Sequence, residues 1–494
     1  MSSVRLRRGL AVIHLLGAML LVLGLAYLIP VAWSLLERDA ALAPLLTGAL
    51  CTLGAGALLW GATRHHRAEL SARDGCLLVV LTALVLTLAA AIPFHLHLHA
   101  DALAAAPSDA LFEALSALTT TGATRLVDLD HLPRSLHLWR HLLQWLGGMG
   151  IIVLSVAILP WLGVGGMQLF RSDTPGPMRE AQLAPRMAQT ARFLWSVYLG
   201  LTVACLLALK MAGMGWFDAL CHALSTLSLG GFSTRDANIA AWNSTAIEAV
   251  LMVFMLLAAL NFTTHFLIVR RRSAAPLRRD TEAPWVLGTI LFSVVLLMAV
   301  LWLADPQADV LHAIRTVAFA TVSNATTGGF HAADHLAWPP FAGLWLALLC
   351  ALVASSGSTG GGIKMVRTLI LFRQTLRELL RMSHPRAVRP LMLGPHVIAA
   401  PLVLAVLGFM LLYGATLLGL TLALVATGLD TSAALGAVMA CLNNNGAGLT
   451  PLGLLPKYAL LTDLQAWILG FAMLAGRLEL LIVFVLATPG FWRR

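Results

Sequence analysis

Charge is scarce in this chain: of 494 residues only 11% are Asp, Glu, Lys or Arg, whereas 59% are hydrophobic. The mean hydropathy is +0.84. Soluble domains carry about 25% charged residues, so a water-exposed globular fold is excluded and an integral membrane protein is expected. Cysteine is sparse too. Cys51, Cys76, Cys205, Cys221, Cys350 and Cys441 are scattered, with no CxxC pair and no metal-ligand spacing. That argues against a disulfide framework or thiolate centre and marks them as small core residues. No HExxH motif, nucleophile–base set or metal cluster is apparent, so an enzyme is not expected and no covalent cofactor is called for.

What the chain has in abundance is long apolar runs. The N-terminus, with Arg5, Arg7 and Arg8 ahead of an apolar stretch, begins like a signal peptide, but the stretch is long enough to span a bilayer and reads as a retained first span. Approximate spans fall at 10–35, 41–62, 75–93, 139–162, 187–212, 243–268, 285–304, 338–363, 396–426 and 463–487. The formal net charge is +10. Most Lys and Arg lie in six clusters: Arg5 to Arg8, Arg64 to Arg73, Arg171 to Arg192, Arg270 to Arg279, Lys364 to Arg389, and Arg493 with Arg494. The clusters alternate with the spans as the positive-inside rule requires, so they report topology and not a nucleic-acid partner. Both termini are placed inside.

Four outward connections carry a short semi-apolar segment ending in glycine. They read DALFEALSALTTTGAT, DALCHALSTLSLGGFST, TVAFATVSNATTGGFH and AALGAVMACLNNNGAG, and their glycines are Gly122, Gly231, Gly329 and Gly446. The intervals are 109, 98 and 117 residues, one segment per pair of spans. Such a period implies four internal copies of span, re-entrant helix, span. Each segment has about ten residues of helical character, too short to cross the hydrocarbon. Non-helical backbone at membrane depth is tolerated only when buried in protein or lining water, so the four segments are expected to face one another around a central pore. Carbonyls can replace the hydration shell of a cation, and the helices aim their negative ends at the centre. Asp109, Asp218, Asp309 and Asp430 at the outer helix starts are expected to add a cation-attracting field.

These features resemble the Trk/Ktr/HKT superfamily of potassium transporters, most closely its bacterial TrkH/TrkG branch. The resemblance covers essentially the whole chain and rests on TTTGAT, SLGGFST, NATTGGF, NNNGAG, the break SSGSTGGGIK and GRLELL in the last span. It implies an all-α polytopic membrane protein with four pseudo-symmetric repeats around a pore (71–170, 171–283, 284–392 and 393–494), preceded by a two-helix hairpin (1–70). It implies K+ uptake across a bacterial inner membrane, with K+ held in a filter formed by Thr120, Thr121, Gly122, Leu229, Gly230, Gly231, Thr327, Gly328, Gly329, Asn444, Asn445 and Gly446. Sodium-preferring plant relatives carry serine at the first glycine position, so Gly122 favours K+. NNNGAG departs from the proline-containing versions of the fourth segment.

By the same resemblance the break Ser356, Gly357, Ser358, Thr359, Gly360, Gly361 and Gly362, with Lys364, is an intramembrane gate loop, and Arg477 lies in the pore beneath the filter. The residues agree. Glycines lower the cost of unwinding a helix, and polar groups in a break must line water or a polar cavity. Arg477 is read as an electrostatic barrier that holds the loop closed, against the alternative of an arginine bonded to carbonyls freed by the break. Glu479 lies on another face and is a weak partner for it. GSTGGGIK is not a phosphate loop, because Ile363 and Lys364 stand where Lys and then Ser or Thr are required. Glu113 and His222 either buttress the filter or face the outer vestibule. The HLHLH stretch, with His95, His97 and His99, is assigned to an external loop and not to a metal site.

The resemblance further implies a homodimer, each chain with its own pore, and a TrkA-type cytosolic ring that binds nucleotide. The short inner loops hold no nucleotide-binding domain of their own. The basic segment Lys364 to Arg389 has the spacing to dock such a ring or lie on anionic lipid. Rb+ and Na+ are further candidate ions. A secondary carrier with alternating access, coupled to H+ or Na+, and an Na+-permeable transporter are the alternatives.

Overall fold

The computed structural model describes residues 2–65, 70–100, 107–157, 180–307, 309–333, 338–386, 389–394, 396–446 and 458–493. Arg67, the 170/171 repeat boundary, Arg171, Ala447 and Gly448, and Arg494 lie outside the described residues. The chain opens with α1 (Ser2–Ala26) and α2 (Leu28–Glu37), then α3 (Leu42–Thr63). α1 and α3 pack as a hairpin against α4 (Ala72–Ala100). Their contact is close because Gly17 and Gly56 face each other: a Cβ on Gly17 would lie 3.1 Å from the Gly56 carbonyl oxygen.

Four helix sets follow. The first is α4, α5 (Pro107–Leu118) and α6 (Arg134–Ala157); the second is α7 (Glu180–Met211), α8 (Trp216–Ser228) and α9 (Thr245–Ala259), extended by α10 (Phe262–Arg271) and the short α11 (Ala275–Arg279). The third is α12 (Ala283–Ala304), α13 (Val310–Ala325) and α14 (Pro340–Leu352), followed by α15 (Met365–Ser383). A two-stranded turn, Met392–Leu393 with His396–Val397, leads to the fourth: α16 (Ala400–Ala426), α17 (Thr431–Leu442), α18 (Asp463–Arg477) and α19 (Leu480–Ala487), with α20 (Pro489–Arg493) at the end.

In each set the short middle helix packs on the helices before and after it, and the third helix packs on the middle helix of the next set: α6 on α8, α9 on α13, α14 on α17 and, closing the circle, α18 on α5. Among the described residues six helical stretches, one of them α1 running on into α2, are long and apolar enough to cross a membrane, eight counting two bent pairs as one span each. Their outer faces carry exposed Leu50, Leu58, Leu88, Phe292, Val295, Leu404 and Leu411, as lipid contact requires.

Several expectations are corrected. The span at 243–268 is broken between α9 and α10 by a 98° bend, and that at 463–487 between α18 and α19 by 113°. The first break follows from Asn261, whose side chain accepts the Thr263 N–H and starts a new helix. The span at 338–363 is helical only to Leu352, ahead of the glycine-rich break expected within it, and Met365–Ser383 forms a 19-residue helix of its own. HLHLH is not an external loop but the end of α4, and His97 is buried there. Among the described residues no three His, Cys, Asp or Glu side chains are grouped to hold a metal. Cys51 is exposed, whereas the other five cysteines are buried as expected.

Candidate functional site

The four short helices end in one backbone device. The N–H before each glycine donates to a carbonyl one turn back: Thr121 to Ser116 at 2.8 Å, Gly230 to Ser225 at 2.9 Å, Gly328 to Ser323 at 2.7 Å and Asn445 to Ala440 at 2.8 Å. The preceding N–H donates in each case to the residue three back: Thr120 to Ala117, Leu229 to Thr226, Thr327 to Asn324 and Asn444 to Cys441. This is a Schellman terminus, which requires a left-handed residue at its turn. Glycine normally fills that place. Here it holds Thr120 (φ 53°), Leu229 (54°), Thr327 (60°) and Asn444 (54°). A threonine or leucine in this region is strained, and the strain persists only because the surrounding packing imposes it.

Two residues on, Gly122 (φ 83°), Gly231 (74°) and Gly329 (72°) are left-handed again, whereas Gly446 is not. Its role is steric instead, since a Cβ there would lie 2.1 Å from the Ala123 nitrogen. The loops converge. A Cβ at Gly122 would lie 1.9 Å from the Gly230 carbonyl oxygen, and one at Gly231 would lie 2.8 Å from the Gly328 carbonyl oxygen. Gly446 N donates to Thr121 O at 2.6 Å, and Asn445 Nδ2 donates to Asn324 Oδ1 at 3.0 Å. Glycine is therefore needed by close approach as well as by φ.

The side chains behind the loops are polar and buried. Glu113 has no exposed surface; its Oε1 accepts from Arg140 Nε at 2.6 Å and its Oε2 from Thr124 Oγ1 at 2.8 Å. Arg140 also covers the Phe232 ring at 4.1 Å, and His222 Nε2 lies 2.9 Å from Ser233 Oγ. Of the two readings for Glu113 and His222, burial excludes the vestibule surface. Arg140 was missed in the sequence, where it reads as one more charge in a helix start. The four outer aspartates are engaged locally: Asp109 pairs with Arg125 at 2.9 Å, Asp218 accepts from Thr234 Oγ1, and Asp309 and Asp430 cap α13 and α17. These carboxylates anchor helix starts.

The glycine-rich break sits directly against these loops. Thr359 Oγ1 donates to Leu227 O at 2.9 Å, and Gly361 N donates to Thr327 Oγ1 at 2.9 Å. Gly361 has no room for a side chain, because a Cβ would lie 2.0 Å from Asn443 O. Gly357 (φ 74°) and Gly362 (φ 78°) supply the left-handed turns that reverse the chain, and Gly357 O accepts from Phe262 N at 3.2 Å. Ser358 Oγ donates to Ser355 O, Ser356 N to Glu282 Oε2 at 2.8 Å, and Lys364 Nζ to Gly360 O. Arg477 is buried at the end of α18, donating through Nη1 to Thr359 O at 2.9 Å and through Nη2 to Gly147 O at 3.3 Å. Glu479 pairs with Arg367 at 2.5 Å and not with Arg477. Among the described residues the four glycine loops contact one another, the break lies against them, and Arg477 lies against the break.

Comparison with known proteins finds relatives along nearly the whole chain. The profile of the TrkH family, described as cation transport proteins, matches residues 45–493. The Trk system potassium uptake protein TrkH of Halomonas elongata is 41% identical over 483 residues, 98% of this chain and 99% of that protein. TrkH of Vibrio parahaemolyticus is 42% identical over 489 residues, with the same coverage of both chains. TrkG of Escherichia coli is 34% identical over 485 residues, 98% of each. The crystal structure of the potassium transporter TrkH from V. parahaemolyticus superposes with a TM-score of 0.90 at 40% identity, covering 98% of this chain and 99% of that one. These relatives are named as uptake proteins, in agreement with the expectation of a non-enzymatic role. With the match spanning nearly its full length and the fold shared throughout, the chain belongs to the TrkH family of multi-pass cation transport proteins.

Proposed function

We propose that the chain takes up K+ through a single-chain pore whose filter is the ring of Gly122, Gly231, Gly329 and Gly446 loops. The observation that carries this reading is the convergence of four chemically similar loops, each ending a short helix with its carbonyl end inward, at one buried place. Partial negative charge at four helix C-termini favours a cation, and carbonyls, unlike carboxylates, favour one that sheds water readily. The names of the relatives supply the ion.

The break from Ser356 to Gly362, with Lys364, is the gate of this reading, and residues 71–170, 171–283, 284–392 and 393–494 are its repeats. Support for the gate comes from its seat against Leu227 O, Thr327 Oγ1 and Asn443, and from the guanidinium of Arg477 that grips it. A fixed positive charge beneath a cation filter raises the barrier to passage, and the same charge holds the loop. In this scheme the protein lies in a bacterial inner membrane with both termini inside, works as a homodimer, and is opened by a TrkA-type nucleotide-binding partner docking near the basic helix α15.

The test is K+ and Na+ flux into liposomes through purified protein, comparing the natural chain with Gly122→Ser and with a deletion of residues 357–362. Loss of K+ preference in the first and partner-independent flux in the second support the proposal. No cation flux under any gradient, with or without a cytosolic partner, sinks it.

A further inference from the structure

Behind the second, third and fourth filter loops stands one side chain from the third helix of the preceding set. Its place is fixed by chain geometry: in α6 and α18 the residue three positions later, Gly147 or Gly476, is pressed against the carbonyl that ends the neighbouring short helix, Leu118 O or Leu442 O. Counting back three residues from Gly147, Ala258, Val353 and Gly476 gives Gln144, Met255, Cys350 and Met473. Gln144, Met255 and Cys350 each contact the loop residue before the glycine of the next set. The Met255 sulfur lies 2.4 Å from where a Cβ of Gly328 would stand, and Cys350 lies within hydrogen-bond reach of Asn445. Three of the four are soft, weakly polar side chains. Gln144 is the exception.

Gln144 is completely buried, and both ends of its carboxamide are used. Its Nε2 donates to the Gly230 carbonyl oxygen at 2.7 Å, and its Oε1 accepts from Ser225 Oγ at 2.6 Å. A Cβ on Gly230 would lie 2.4 Å from the carboxamide carbon, so the group is packed against the loop and cannot swing clear. The Gly230 carbonyl belongs to the peptide that leads into left-handed Gly231, and it is also the atom against which Gly122 is pressed. Fixing that one oxygen therefore fixes the turn of the second loop and its contact with the first. A peptide between two glycine residues has little else to hold its plane.

We infer that Gln144 is a positioning residue for ion preference: it locks the Gly230–Gly231 peptide in one orientation, which sets the spacing of the first and second filter loops. This rests on the filter reading above. A cation of different radius is rejected only if the carbonyl ring resists shrinking or widening, and a glycine peptide without a fixed partner would reorient to accommodate it. Met255 gives Gly328 no such donor, so the ring is held more firmly on one side than on the other.

The experiment reads K+, Rb+ and Na+ influx into proteoliposomes for Gln144→Met, which installs the side chain found at the matched place in the second and fourth sets, and for Gln144→Leu, which is close in size and offers no donor to Gly230. Ser225→Ala, acting through Gln144, is the third variant. Folding is checked by a single symmetric peak on size exclusion. Loss of one buried neutral hydrogen bond is expected to lower the K+ over Na+ flux ratio by about tenfold at most in the Gln144 variants, and less in Ser225→Ala. K+ flux itself persists. A merely structural role would lower all three fluxes in proportion and leave the ratio unmoved. An unchanged ratio in the folded variants, alongside an altered ratio in Gly122→Ser, overturns the role of Gln144 while leaving the filter reading intact. An unchanged ratio in Gly122→Ser as well overturns the filter reading itself.

Discussion

Replacing Arg140 by methionine isolates the energetics behind the first two loops. The guanidinium and the Glu113 carboxylate meet at 2.6 Å with neither side chain exposed. At a charge separation of about 4 Å and an effective dielectric of about 20, their attraction is roughly 4 kcal/mol. The cation–π contact with Phe232 at 4.1 Å adds about 1–2 kcal/mol in a desolvated place. Arg140→Met leaves Glu113 charged, buried and held only by Thr124, and removal of one member of a buried pair costs about 3–5 kcal/mol. Adding Glu113→Gln removes the orphaned charge while keeping an acceptor for Thr124. The double variant is therefore expected to recover at least half of the loss, a coupling that a double-mutant cycle reads directly. Equilibrium denaturation in detergent micelles, followed by tryptophan fluorescence, gives the four stabilities. If the double variant is as unstable as the sum of the singles, the pair is not energetically linked and the account of these buried charges is wrong.

Three further outcomes follow from the same geometry. Thr120→Gly relieves left-handed strain and should stabilise the protein by about 1 kcal/mol in the same denaturation assay, while K+ over Na+ selectivity falls because the loop gains freedom. Gly361→Ala places a methyl 2.0 Å from Asn443 O, so the break must shift; flux without a cytosolic partner should rise, and flux held at the level of the natural chain would contradict the gate's seat. Thr462→Ala removes the capping box that Thr462 forms with Gln465 at the start of α18, and a loss of about 1 kcal/mol with ion preference unchanged is expected.

The repeat was legible because glycine is the one residue that marks a backbone requirement openly: four in phase, and four more between Gly357 and Gly362, announce the loops and the break. The strained turns were not. Thr120, Leu229 and Thr327 occupy left-handed places by tertiary compulsion against their own preference, and no local pattern advertises that. The bend after Arg477 was also hidden, since LELLIVFVLA is continuous in hydropathy; it becomes visible only once Arg477 reaches Thr359 and Glu479, at φ 58°, turns to Arg367. Glu113 and Arg140 lie 27 positions apart on different helices, beyond any periodicity. HLHLH misled because alternation with leucine imitates an exposed strand, while the length of α4 settles it as helix.

The circle closed by α18 against α5 is made from one polypeptide, and this gives each quarter its own genetic address. In a pore assembled from identical subunits, any substitution alters every position around the axis at once, so adjustment is coarse. Here a codon change at residue 144 acts at Gly230 of the second loop, which Gly122 of the first loop contacts, and one at residue 255 acts at Gly328 of the third. With the proposed filter, ion preference becomes adjustable in steps of one side chain, and an uneven ring is the natural product of such adjustment.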